Sequence, residues 1–152
     1  MFCFSKIAGT VCAGLLVAMM TESAVVAADS NKVAIIKADD FQGPNQAWTN
    51  FLQASRSAGI KVSIGVIVDA IAGNASIAAW MQAQEAQGDV EFWDHGWDHA
   101  QWTTNGQTVS EFQGSGLQHQ LERRARAQAG GKTALGHDVI ALGTGYNGFD
   151  SY

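Results

Sequence analysis

Apolar positions in this chain fall into short runs that alternate with stretches of helical spacing. Val33–Ala38 is a run of the first kind and predicts a strand. The period changes after Pro44, where Trp48, Phe51, Leu52 and Ser55 fall on one helical face. Pro44 suits the first turn of that helix, where its missing N–H costs nothing, and Gly59 is its stop. Lys61–Val68 is apolar nearly throughout and predicts a second strand, of the kind that parallel sheets cover on both faces. Ile77, Trp80, Met81 and Gln84 share a face of a helix from about Ala75 to Ala86, with Gly88 as its stop. Asp89–Trp93 is a third strand, and residues 100–109 read as a polar loop. Thr108-Val109-Ser110-Glu111 has the form of a capping box. It opens a helix that carries Leu117 and Leu121 and ends at Gly130-Gly131, and His137–Leu142 is a fourth strand.

Strand and helix alternating through short links predict an α/β fold with a parallel sheet and right-handed crossovers. In such sheets and barrels functional groups gather at the C-terminal ends of the strands. Asp39 and Asp40 stand at one such end; His95 and His99 stand at another, with Asp94 and Asp98 beside them. His137 falls at an N-terminal end and His119 within a helix, so neither joins the set. Imidazoles four residues apart reach one ion when the chain turns once between them. Two histidines alone make a poor site, because zinc or a similar divalent ion wants a third protein ligand, and the nearest supplier is Asp39-Asp40.

Residues 1–28 differ from the rest. Lys6 precedes an apolar run from Ile7 to Met20, and the segment closes on Ser23-Ala24-Val25-Val26-Ala27-Ala28, the pattern of a signal peptide cleaved after Ala28. The run is shorter than the roughly 20 apolar residues of a spanning helix; an uncleaved anchor is the alternative. A signal peptide places the protein outside the cytoplasm, secreted to the extracellular space or periplasm, with no membrane attachment once cleaved. Residues 29–152 are then one domain, without cysteine because Cys3 and Cys12 lie in the leader. That domain keeps 13 of the chain's 14 acidic and 8 of its 9 basic side chains, a net charge of −5. An acidic surface excludes nucleic acid and anionic membrane as partners, since both reward clustered Lys and Arg.

With those residues in view, the chain resembles the polysaccharide deacetylases, also called NodB-homology carbohydrate esterases. Lys37-Ala38-Asp39-Asp40 matches their first motif, and His95-Gly96-Trp97-Asp98-His99 their His-x-x-x-His loop after the third strand. Leu142-Gly143-Thr144-Gly145-Tyr146-Asn147 is similar to a degraded third motif. The resemblance covers about residues 33–150. It implies a parallel, distorted (β/α) barrel in which Asp40, His95 and His99 hold a divalent metal, zinc first among them, and Asp39 is the catalytic base. The metal would polarise an acetyl carbonyl and acidify a water, and Asp39 would take the proton. The implied substrate is an acetylated polysaccharide, with Trp97, Trp102, Tyr146 and Asn147 as substrate-binding candidates.

The match is incomplete. Phe41 follows the second aspartate where the family has Gly, Gly96 follows the first histidine, Gly145 replaces a proline, and no arginine stands ready to orient the base. The family's later strands and its Leu-x-His general acid have no counterpart before Tyr152, so the expectation is a domain of which only about the first half is present. Its strand edges would be unpaired and open to self-association. A non-catalytic metal- or glycan-binding module, or an inactive remnant, is the alternative to a metal-dependent deacetylase that removes N- or O-acetyl groups.

Overall fold

Three parallel strands lie in sequence order, β1 (Ile36–Phe41), β2 (Val62–Val66) and β3 (Val90–Asp94). The computed structural model describes residues 36–151; the leader 1–28 and residues 33–35 of the first predicted strand lie outside the described residues. Register sorts the side chains by face. Ile36, Val62 and Val90 are neighbours, as are Ala38, Ile64 and Phe92, and this face meets the helices. The intervening positions place Lys37, Ser63 and Glu91 in one row, then Gly65 beside Trp93. Lys37 and Glu91 are exposed, which corrects the expectation of strands covered on both faces. The apolar run 61–68 misled because Gly65 carries no side chain to pack and Ile67-Val68 has already left the strand.

Helices α1 (Gln46–Ser57), α3 (Ala75–Glu85) and α4 (Leu117–Leu135) build one core with the sheet. Its aromatic centre is Phe41, stacked on Trp80 at 5.5 Å and edge-on to Trp48 at 5.4 Å. A register shift between Ala38 and Phe41 bends the end of β1, so that Phe41 turns into this cluster. Burying such rings contributes about 1.5–3 kcal/mol each. The Arg56 guanidinium clamps both Asp89 oxygens, at 2.6 and 3.1 Å, and ties the end of α1 to the start of β3. That pairing holds the Asp89 carboxyl below the usual range.

Local chemistry moved several boundaries. Helix α1 starts two residues later than Pro44 suggested, because the Asn45 side chain accepts from Trp48 N–H at 3.0 Å and serves as the cap. A short helix, α2 (Val68–Ile71), follows β2 directly and was not foreseen. Residues 100–109 are not a loop but contain a hairpin, β4 (Gln101–Thr104) and β5 (Gln107–Ser110). Asn105 and Gly106 both take positive φ, 50° and 75°, as a two-residue type I′ turn requires. Thr108–Ser110 is therefore strand, not capping box, with Glu111 in the turn after it, and α4 begins after Gly116 with no side-chain cap.

Helix α4 also runs through Gly130-Gly131, where the sequence suggested an end, and stops at the left-handed Gly136. Both glycines are packing positions. A Cβ on Gly131 would lie 2.8 Å from Val139 and one on Gly130 2.6 Å from Val68, so only a bare backbone permits this approach. Leu117 and Leu121, the predicted apolar face, are exposed; α4 buries Ala127, Gly131, Ala134 and Leu135 instead. The fourth strand shrinks to a single parallel bridge between Leu142 and Asp94, with hydrogen bonds from Asp94 N–H to Ala141 O and from Gly143 N–H to Asp94 O. Ile140, Leu142 and Phe149 are exposed there. Among the described residues no helix is long and apolar enough to cross a membrane.

Candidate metal centre

The C-terminal ends of β1 and β3 bring Asp40, His95 and His99 together, each offering one ligand atom, all within 4.8 Å of one another. Asp40 Oδ1 lies 3.3 Å from His95 Nε2 and 3.4 Å from His99 Nε2. His95 Nδ1 is 2.6 Å from the Gly143 carbonyl. A carbonyl only accepts, so Nδ1 carries a proton, and Nε2 is the ring nitrogen that faces Asp40. Metal-binding histidines are oriented by such a bond. Two nitrogens and a carboxylate oxygen at this spacing fit zinc or a related divalent cation, and leave open positions for other ligands.

The backbone is strained where the ligands sit. Of the five non-glycine residues with positive φ among the described residues, Asp40 (64°), His99 (53°), Tyr146 (57°) and Asn147 (53°) belong to the segments around this cluster. The fifth, Asn105, is the hairpin turn. Left-handed conformations cost non-glycine residues on the order of 1 kcal/mol each, and they concentrate at functional sites.

Two buried carboxylates hold the histidine loop. Asp94, 1% exposed, accepts from Gly96 N–H at 2.8 Å, from Arg124, and from Gln128 at 3.2 Å. Glu111, 2% exposed, accepts from Trp97 N–H at 2.6 Å and from His99 N–H at 3.1 Å. Burial pushes the Glu111 carboxyl above its usual range, against the pull of these amides. Sequence analysis missed Glu111 because it assigned the residue to a helix cap. No local sequence signal marked it, since its partners are loop amides 12 and 14 residues earlier.

Asp39 precedes Asp40 on β1, with Oδ2 3.2 Å from Lys37 Nζ, while Oδ1 is buried without a hydrogen-bond partner among the described residues. The cation next to this carboxylate is thus a lysine two residues earlier on the same strand face. A buried oxygen left unpaired in this way is rare and asks for an explanation. An open cleft of about 410 Å³ adjoins the site, lined by Asp40, His99, Asp98, Asp69, Gln42 and Ile67. Arg123 pairs with Asp98 at 2.7 Å.

The other sequence candidates are divided. The Tyr146 ring lies 4.5 Å from His99, and its hydroxyl donates to His99 O at 3.3 Å, so it stands at the rim. Asn147 is exposed beside it. Gly145 precedes them where a side chain would not fit, since a Cβ there would come 2.6 Å from the His99 ring. The Trp97 ring turns to a separate cavity shared with Arg126 and Gly130, and Trp102 lies against His119 at 5.3 Å. His137 bonds Glu85 at 2.9 Å. Neither His119 nor His137 joins the cluster.

By sequence, the chain matches no family model and no curated protein. By structure, it is similar to the Xyl-CE4 domain of a multidomain xylanase from the hindgut metagenome of Trinervitermes trinervoides. The TM-score is 0.58 at 20% identity, over 76% of this chain and 50% of that one. The peptidoglycan deacetylase PdaC of Bacillus subtilis matches with a TM-score of 0.57 at 16% identity, over 79% and 52%. BA3943, a CE4 family pseudoenzyme of Bacillus anthracis, matches with 0.60 at 11% identity, over 79% and 38%. This chain therefore spans about two fifths to one half of the length of these structures. It has the α/β fold of CE4 deacetylases, in agreement with the resemblance carried by its motifs.

Proposed function

We propose that this chain carries the metal site and base of a secreted polysaccharide deacetylase, with residues 1–28 as its signal peptide. The observation that carries the reading is the convergence of Asp40, His95 and His99 at two strand ends of a CE4-like fold. A divalent cation held by these three, zinc in the first instance, would polarise an acetyl carbonyl and make water a competent nucleophile at neutral pH. Asp39 is the general base in this reading, and its Oδ1 has no hydrogen-bond partner among the described residues. Lys37 Nζ pairs with the other oxygen at 3.2 Å and holds the carboxylate in place. Water adds to the acetyl carbon, the bond to the sugar nitrogen or oxygen breaks, and acetate leaves with the amine or alcohol re-protonated. Tyr146 and Asn147 form one rim of the substrate path, while the rings of Trp97 and Trp102 face a separate cavity and His119.

The likeness to a pseudoenzyme supports a second reading, a metal- or glycan-binding module without turnover. One experiment separates the two. The zinc-loaded chain is assayed for acetate release from acetylated xylan, an N-acetylglucosamine oligomer and an activated acetate ester, beside Asp39→Asn. Release by the wild type, lost in Asp39→Asn while that variant still binds one zinc, is the expected result. Zinc binding without acetate from any substrate favours the binding module, and an absence of zinc binding overturns the metal site.

A further inference from the structure

We infer that Glu111 is the positioning residue that sets the His95–His99 loop for cation binding, a role that rests on the metal site proposed above. Its two oxygens divide the loop between them: Oε1 takes the Trp97 amide at 2.6 Å and Oε2 the His99 amide at 3.1 Å. No Lys or Arg among the described residues pairs with this carboxylate, so backbone N–H groups of the loop are its counter-charge. Leaving a buried carboxylate without a cation is costly for folding alone. An apolar side chain would fill the space under the loop more cheaply. What it would not do is hold two amides two residues apart in fixed directions.

The loop geometry depends on that hold. His99 has φ 53°, and a histidine released from it favours right-handed or extended backbone, which swings the imidazole away from Asp40. Gly96, φ 99°, is pressed so closely that a Cβ would sit 2.6 Å from Glu111 Oε2. On the other side Asp94 Oδ1 takes the Gly96 amide at 2.8 Å. With the amides of residues 96, 97 and 99 all bound inward, the His95 and His99 side chains are left to meet Asp40. The hairpin delivers the carboxylate: Glu111 N–H bonds Ala100 O at 3.0 Å, directly after β5.

The test uses the full chain, with zinc affinity read by competition against a chromophoric chelator and amide exchange read by NMR on chelator-treated protein. Glu111→Gln keeps size and one acceptor but faces the second amide with an NH₂ group. Its zinc Kd should rise about 10–100-fold, the usual effect of losing a group that orients ligands. Exchange of the Trp97 and His99 amides should accelerate at least about tenfold while that of Ile64 in β2 does not change, which places the effect in the loop and not in the core. Glu111→Asp, which keeps the charge and both acceptors, should bind zinc more tightly than Glu111→Gln. A Glu111→Gln chain whose zinc Kd stays within threefold of wild type overturns the inference. Should Glu111→Gln fail to fold, Glu111→Asp carries the comparison: at least a threefold loss supports the inference and unchanged affinity overturns it. A wild-type chain that binds no zinc overturns the metal site itself, and this role with it.

Discussion

Replacing Gly65 by alanine puts a methyl group where the Trp93 ring already is. An ideal Cβ on Gly65 lies 2.6 Å from both Cζ2 and Cη2 of Trp93, well inside van der Waals contact. The ring cannot yield by moving toward Gly143, since a Cβ there would lie only 2.5 Å from its Cζ3. The indole is held between two bare backbones and is 5% exposed. Overpacking of this kind costs about 1–3 kcal/mol, or about 5–15 °C in Tm for a domain of this size. Gly143→Ala should cost a similar amount, but the two variants should part on function. The Gly143 carbonyl accepts from His95 Nδ1, whereas Gly65 touches no ligand, so Gly143→Ala should also weaken zinc binding and Gly65→Ala should not. The assay is thermal unfolding of chelator-treated protein paired with a zinc titration. Adding Trp93→Phe to Gly65→Ala should recover part of the loss, as coupled neighbours do. A Gly65→Ala protein that melts within about 1 °C of wild type refutes the packing argument.

Three further outcomes are expected. His95→Ala and His99→Ala should each lower zinc affinity sharply, because two ligands make a poor site; unchanged affinity in both refutes the site. Any acetate release should favour esters over N-acetyl amides, since an amine leaves poorly without a proton and neither His119 nor His137 reaches the cluster; general-acid help is typically worth about 10²–10⁴-fold, and comparable amide and ester rates would refute this. The Glu85 carboxylate raises the His137 pKa above its usual value, so this pair stabilises the fold fully below about pH 6.5 and less as pH rises through the raised value. His137 is half exposed, which limits the effect to about 0.2–1 kcal/mol; His137→Ala should flatten that part of a Tm–pH curve between pH 5.5 and 8.5, and an unaltered slope would refute it.

Periodicity and local chemistry were sufficient for the three sheet strands, the first and third helices, and the sorting of Asp39, Asp40, His95 and His99 to strand ends. The reason is that a strand or helix declares its period within a few residues, and a parallel sheet then dictates which ends converge. The same local view failed wherever a partner from elsewhere decided. Gly130-Gly131 reads as a stop in any isolated helix, yet Val68 and Val139 pack so close to α4 that glycine is what the helix needs there. Residues 137–142 have the composition of a strand, but strand is a property of pairing, and only Leu142 finds Asp94. Asn105-Gly106 was a local turn signal that polar composition masked. Glu111 shows the limit most plainly. Nothing within reach of it along the chain announces that its carboxylate will lie under two amides of a loop 12 and 14 residues earlier. A buried charge takes its meaning from what surrounds it, and only the packed structure assembles those surroundings.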